Sequence, residues 1–278
     1  MANNSIEMIA LDLDGTTLDS KGHLRTETKD ALQKAVERGI HVVVATGRVY
    51  SALPKDIFGI EGIQYIITSN GARITRLADM KILFKSNLDS AAVETIARIL
   101  SKEDYMVEVF TDGSAFVEKD IFDNIEKYGL SEKHTNYIKN TRNPRENIFQ
   151  FLLDNKEEIE NININFWSQD DRMAMRKRME ELGIVTVTTS FDHNIELGGL
   201  STSKAAALKA LCEILNVNTE KMMACGDSPN DIEMLKLAGL PIAVGNAKDE
   251  VKACAKAIVG TNDENGVAEA VYRFALNL

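Results

Sequence analysis

The sequence predicts an α/β chain in which a parallel-sheet core is interrupted by an inserted α+β domain. Three observations predict this. Short apolar runs alternate with helix-period segments in the first third, the same alternation returns in the last third, and the middle reads differently.

The elements follow in order. Met8-Ile9-Ala10-Leu11 is a short apolar run that stops at Asp12-Leu13-Asp14-Gly15, as a fully buried strand does. From Thr26 to Arg38, Ala31, Leu32, Ala35 and Val36 fall at helical spacing, and Gly39 stands where a C-cap belongs. His41–Ala45 is β-branched and apolar, a second buried strand, and Tyr65–Thr68 is a third. Strand–helix–strand alternation implies parallel strands joined by right-handed crossovers. From about Lys85 to Asp192 the strands read as half-buried, because Met106–Phe110 is interrupted by the charge of Glu108. Ala115–Val117, Ile148–Leu152 and Ile184–Val187 are the further strand signals there, with helices at Ser90–Leu100 and Asp171–Leu182. Helix and strand then alternate again: Lys204–Leu215, Met222–Cys225, Asp231–Ala238, Pro241–Val244, and on to a closing helix at Gly266–Leu276. The expected division is a core of residues 1–84 and 193–278, with 85–192 inserted as a domain in its own right.

Composition narrows the function. A length of 278 residues suits two domains, and 44% hydrophobic residues suffice for packed cores. The net charge of −10 argues against general binding of nucleic acid or of an anionic membrane surface. Three cysteines (Cys212, Cys225 and Cys254) without a CxxC pair fit a reducing compartment, so a cytoplasmic protein is expected. The first residues, MANNSIEMIALDLDG, lack the basic segment of a signal peptide, and no run of about 18 apolar residues spans a membrane.

Two acidic loops carry the chemistry. Asp12-Leu13-Asp14-Gly15-Thr16-Thr17 and Gly226-Asp227-Ser228-Pro229-Asn230-Asp231 each follow an apolar strand directly. Ligands of open α/β sheets bind at the carboxyl ends of strands, so both loops are well placed. Alone, the first would be even odds with a solvated acidic turn, and the second also suits an N-cap with Pro229 at a first helical position. Together they imply a shared cation, since Asp12, Asp14, Asp227 and Asp231 repel one another without one. Oxygen donors with no His or Cys motif favour Mg²⁺ over zinc. Ala45-Thr46-Gly47-Arg48 ends another strand with groups suited to phosphate, and Lys204 opens a helix after Ser201-Thr202-Ser203. Either of these, standing alone, is ordinary.

In chain order DLDGTT, ATGR, Lys204 and GDSPND resemble the four motifs of the haloacid dehalogenase superfamily. The long interval between Thr46 and Lys204 resembles the Cof-type phosphatases, which insert a large cap there, and Thr68-Ser69-Asn70-Gly71-Ala72 is similar to that family's turn after its third strand. The sequence departs from the family pattern at Thr17, more often aliphatic, and at Ala205, often glycine. The presence of Asp14 counts against true dehalogenation.

The resemblance implies a Rossmann-like parallel-sheet core with an inserted α+β cap acting as a lid, and Mg²⁺-dependent hydrolysis of small phosphate monoesters. Asp12 is then the nucleophile and Asp14 the acid/base. Mg²⁺ is held by Asp12, the Asp14 carbonyl and Asp227. Thr46, Lys204 and backbone amides near Leu13 and Gly47 hold the phosphoryl oxygens. Asn230 orients Lys204 or the phosphate, Asp231 supports from behind, and Arg48 is structural. His134, Arg142 and Arg145 could reach a polar substrate, but solvated loops of the cap are the expectation for them. The rivals are a phosphomutase of similar fold and a non-catalytic sugar-phosphate sensor.

Overall fold

Residues 6–128 and 130–278 are described in the computed structural model. Their strands are β1 (Met8–Leu11), β2 (His41–Ala45), β3 (Tyr65–Thr68), β4 (Arg73–Arg76), β5 (Lys81–Lys85), β6 (Met106–Thr111) and β7 (Ser114–Glu118). There follow β8 (Arg142–Arg145), β9 (Ile159–Asn165), β10 (Thr186–Thr188), β11 (Asn194–Gly198), β12 (Met222–Gly226), β13 (Leu240–Ala243) and β14 (Ala257–Ile258). The helices used below are α1 (Thr26–Glu37), α2 (Ser90–Leu100), α3 (Lys119–Asp123), α4 (Glu132–Thr141), α5 (Ile148–Asp154), α6 (Gln169–Leu182) and α7 (Lys204–Leu215). No helix among the described residues is long and apolar enough to cross a membrane.

The first unit comprises the chain through Gly47, then Leu53–Phe84 and Ser203–Leu278. Its sheet has the order β14-β13-β12-β1-β2-β3-β4-β5. Strands β14 to β3 run parallel and β4 returns antiparallel to β3. Every residue of β1 and β3 is buried, which is why these strands read as unbroken apolar runs. The chain winds outward from β1 to β3 on one side and, after the insertion, from β12 to β14 on the other. The order therefore reverses between β1 and β12, where Leu11 pairs with Cys225, and the carboxyl ends of these two strands flank the crevice that such a reversal opens.

The second unit comprises Lys85–Thr202 with Arg48–Ala52. Its sheet has the order β10-β11-β9-β6-β7-β8 and is antiparallel except where β7 meets β8. Val107, Val109, Ile162, Ile164, Ile195 and Leu197 pack on one face against α2, α5 and α6. The unit extends beyond the expected end at 192 because β11 pairs with both β9 and β10, and the boundary falls at Thr202 instead. Arg48–Ala52 joins it because Val49 and Ala52 share a small apolar cluster with Phe110 and Ala115, and the Ser51 amide donates to Gly113 O at 2.9 Å.

Three expectations for the middle of the chain are corrected. Ile148–Leu152 is not a strand but the start of α5, where Asn147 caps by accepting from the Gln150 amide and Ile148 and Leu152 are buried one turn apart. A short apolar run fits a buried strand or a helix equally, and here the cap decides. Strand β6 is buried throughout rather than half-buried, because Glu108 has a buried partner. That partner is Arg142, which is not in a solvated loop: it opens β8, and its guanidinium meets Glu108 Oε2 at 2.7 Å with side chains 5% and 0% exposed. Asn165 Nδ2 adds a hydrogen bond to Glu108 Oε1 at 3.0 Å. His134 lies on α4 with its ring 4.8 Å from that of His193, and burial together with the His193 charge lowers its pKa to about 4.

Breaking one partner of a buried ion pair leaves the other charge uncompensated. Arg142→Ala should therefore destabilise the protein by about 3–5 kcal/mol. The double substitution Glu108→Leu/Arg142→Leu should cost much less, and urea unfolding of the two variants measures the difference.

Candidate active site

β1 ends at Asp12, whose amide still donates to Cys225 O at 3.1 Å, so the ladder holds the backbone up to the turn. The Leu13 carbonyl then gathers the turn by accepting from the amides of Thr17 at 3.0 Å and Leu18 at 2.9 Å. Thr17 Oγ1 donates to Asp12 O at 2.5 Å. Gly15 has φ +81°, and a Cβ there would lie 2.6 Å from Asp227 Oδ2. Only glycine lets the first acidic loop close against the second. Asp14 sits half-buried at this turn, one residue before it.

Lys204 is the first residue of α7, after the Ser203 cap, and is buried. A cation at a helix N-terminus opposes the helix dipole, so helix stability does not explain it. Its Nζ instead donates to Asp12 Oδ1 at 2.6 Å and to Asp231 Oδ1 at 2.7 Å. Burial alone would lower its pKa, but the Asp12 and Asp231 carboxylates overcome that and hold it above the usual lysine value.

The second acidic loop is folded by Asp231. Its Oδ2 accepts from the amides of Asp227 at 3.0 Å and Ser228 at 3.1 Å, and Pro229 opens the short helical turn Pro229–Asp231. Both oxygens of Asp231 are thus engaged. Asp227 is held by Thr16 Oγ1, which donates to Oδ1 at 2.7 Å, and by Ser228 Oγ, which donates to Oδ2 at 2.9 Å. Burial raises the Asp227 pKa to about 6, with the Asp231 charge adding to it and the Thr16 and Ser228 bonds opposing. Burial also raises Asp12 well above the usual carboxylate value, helped by Asp231 and Asp227, although Lys204 pulls it down.

At the end of β2, Thr46 is buried, its amide donating to Ile67 O at 3.0 Å and its carbonyl accepting from the Asn70 amide at 3.0 Å. Asn230 reaches neither Lys204 nor Asp12. Its Nδ2 donates to Asn70 Oδ1 at 3.0 Å. A Cβ at Gly47 would stand 3.1 Å from the same Asn70 oxygen. Arg48 is committed elsewhere, with its guanidinium donating to Ala52 O at 2.9 Å and lying 5.1 Å from the Tyr137 ring centroid.

The structure thus brings together Asp12, Asp227, Asp231 and Lys204, with Thr46, Gly47 and Asn230 joined through Asn70. Two contributors escaped the sequence reading. Thr16 was legible only as part of DLDGTT, and Asn70 only as part of the turn Thr68–Ala72. Carboxylate oxygens of Asp12, Asp227 and Asp231 lie within 4.8 Å of one another. Oxygen-only donors, two of them (Asp12 and Asp227) raised in pKa by burial and by neighbouring carboxylates, fit a hard divalent cation such as Mg²⁺. Asp231 accepts from Lys204 and two amides, Asp12 from Lys204, and Asp227 from Thr16 and Ser228.

Such a cation must displace the proton that Asp227 holds below about pH 6. Mg²⁺ should therefore raise the melting temperature at pH 7.5 in a concentration-dependent way, and the same Mg²⁺ at pH 5 should raise it little. Thermal unfolding at both pH values, with Ca²⁺-free buffers and an EDTA control, checks this.

The comparisons with known proteins agree with this geometry. The family model for haloacid dehalogenase-like hydrolases matches residues 9–271. Phosphatase YwpJ of Bacillus subtilis is 34% identical, over 95% of this chain and 98% of its own. The 5-amino-6-(5-phospho-D-ribitylamino)uracil phosphatase YcsE of the same organism is 31% identical, over 98% and 96%. A solved haloacid dehalogenase-like hydrolase from B. subtilis superposes with a TM-score of 0.85 at 32% identity, covering 97% of this chain and all of that one. A match over nearly the whole chain, on a fold whose strand ends carry the four motifs, leaves one assignment: this chain belongs to the haloacid dehalogenase-like hydrolase family.

Proposed function

We propose that the protein is a cytoplasmic Mg²⁺-dependent phosphatase that hydrolyses small phosphate monoesters, sugar phosphates or related metabolites, through an aspartyl-phosphate. The observation that carries the proposal is the buried Lys204 ammonium 2.6 Å from Asp12 and 2.7 Å from Asp231, at the carboxyl end of β1. A carboxylate held against a fixed cation at a strand end is oriented for attack, and the same cation can receive phosphoryl oxygens. Relatives named as phosphatases support the reaction class. Three free thiols, two of them buried, support a reducing compartment.

In this reading an Asp12 carboxylate oxygen attacks phosphorus, the ester P–O bond breaks, and the leaving alkoxide takes the proton of the Asp14 carboxyl. The Asp14 carboxylate then takes a proton from water as that water attacks phosphorus, which frees inorganic phosphate and restores Asp12. Lys204, the Thr46 hydroxyl and the amides of Leu13 and Gly47 bind the phosphoryl oxygens, whose charge is spread in the transition state. Asp231 holds Lys204 in place. Asp12, the Asp14 carbonyl and Asp227 would hold Mg²⁺, which supplies charge screening between nucleophile and phosphoryl oxygens.

A phosphate-release screen over sugar phosphates, nucleotides and cofactor phosphates with Mg²⁺ is the direct test. Asp12→Asn keeps the shape of the side chain but removes the attacking charge, so turnover of every substrate should fall by about three orders of magnitude or more. Lys204→Ala should lower kcat/KM for every ester without re-ranking them, because the lost charge serves a transition state common to all. Activity that survives exhaustive removal of divalent metal, or an Asp12→Asn enzyme near wild-type turnover, overturns the proposal.

A further inference from the structure

The turn Ser69–Gly71 after β3 lies against three segments of the candidate site. Ser69 (φ +51°) and Asn70 (φ +55°) are both left-handed although neither is glycine, and both are buried. The Asn70 amide fixes the Thr46 carbonyl at 3.0 Å, and the Asn70 Oδ1 accepts from Asn230 Nδ2 at 3.0 Å. Gly71 (φ +102°) presses on the start of α7, where an added Cβ would stand 2.1 Å from Ser203 O and 3.0 Å from Lys204 N. One turn therefore meets the end of β2, the second acidic loop and the helix that presents Lys204.

The conformation at residue 70 alone would be met best by glycine. What asparagine adds is an acceptor between two loops. Among the described residues, that acceptor is the one hydrogen-bond partner of the Asn230 side chain, whose own Oδ1 is buried and unpartnered. Without it, the Asn230 carboxamide has no hydrogen-bond partner among the described residues, and the oxygen that an added Cβ at Gly47 would meet at 3.1 Å is gone.

We propose that Asn70 is a positioning residue for phosphoryl transfer, fixing the spacing between the Thr46–Gly47 segment and the Asn230 loop. The proposal rests on the phosphatase reading. It deepens that reading by giving a role to a residue that touches no reacting atom.

The test is Asn70→Gly, which keeps the left-handed backbone and removes the carboxamide. It is assayed with Asn230→Ala and the double variant on p-nitrophenyl phosphate with Mg²⁺. Melting temperature and calorimetric binding of inorganic phosphate are measured alongside. A displacement of phosphate-binding groups by about an ångström costs roughly 10²-fold in rate, so kcat of Asn70→Gly should fall by about that factor. The melting temperature should hold. Because the two side chains act as one unit, the double variant should lose no more than the worse single variant. Phosphate affinity should weaken in parallel with kcat. The proposal is overturned if Asn70→Gly stays within about threefold of wild-type kcat, or if the two losses simply multiply. If the wild-type chain releases phosphate from no ester, the phosphatase reading falls instead. Phosphate binding then decides on the turn alone, and equal affinity in wild type and Asn70→Gly overturns it.

Discussion

A buried ammonium between two carboxylates governs this structure. Taking the charge of Lys204 out of water is costly, and placing it at a helix N-terminus adds to the cost. Asp12 and Asp231 offset both, at 2.6 and 2.7 Å. The two carboxylates would repel each other without the lysine, so the three groups are consistent only as a set. Their consistency ties three distant parts of the chain together: the end of β1, the loop after β12 and the start of α7.

That tie dictates the backbone around it. Loops carrying Asp12 and Asp227 must approach until there is no room for a Cβ at Gly15, and β12 must end so close to Asp231 that a Cβ at Gly226 would lie 2.6 Å from Asp231 Cβ. Asp231 spends its other oxygen on two amides of its own loop, so the residue that holds Lys204 also shapes the segment presenting Asp227. Groups fixed this way need little reorganisation when charge develops on a bound phosphoryl group, which is the usual source of rate in such sites. Burial in the same place, with the Asp231 charge adding to it, raises the Asp227 pKa to about 6.

The second unit meets the same problem differently. Glu108 is buried in a central strand, and Arg142 neutralises it from β8 with Asn165 completing its hydrogen bonds. Here the buried charges join strands of one sheet rather than assembling a reactive group. The contrast lies in the setting. Glu108 and Arg142 form a closed couple within the sheet, whereas Asp12 and Asp227 stand just past strand ends, in a group of three carboxylates within 4.8 Å of one another.

Much of the first unit was legible in the sequence, because a parallel strand covered on both faces is apolar throughout. Met8–Leu11, His41–Ala45 and Tyr65–Thr68 announce themselves that way. The acidic loops were legible because strand ends carry the site in this class of sheet, and Lys204 because its residue type matched a motif. Partnership was not legible. Whether Glu108 marked an exposed face or a buried pair depended on Arg142, 34 positions away, and a charged residue alone reads as solvated. Whether Ile148–Leu152 was strand or helix depended on the cap at Asn147, since a short apolar run satisfies either period. Asn230 turned to Asn70 rather than Lys204 because the left-handed turn after β3 set an acceptor there, 160 positions away in sequence. The sequence by itself determined which residue types stand at strand ends, hence the fold class and the kind of chemistry. Only the tertiary structure decided which of those groups pair, because pairing is set by distances between segments far apart in the chain.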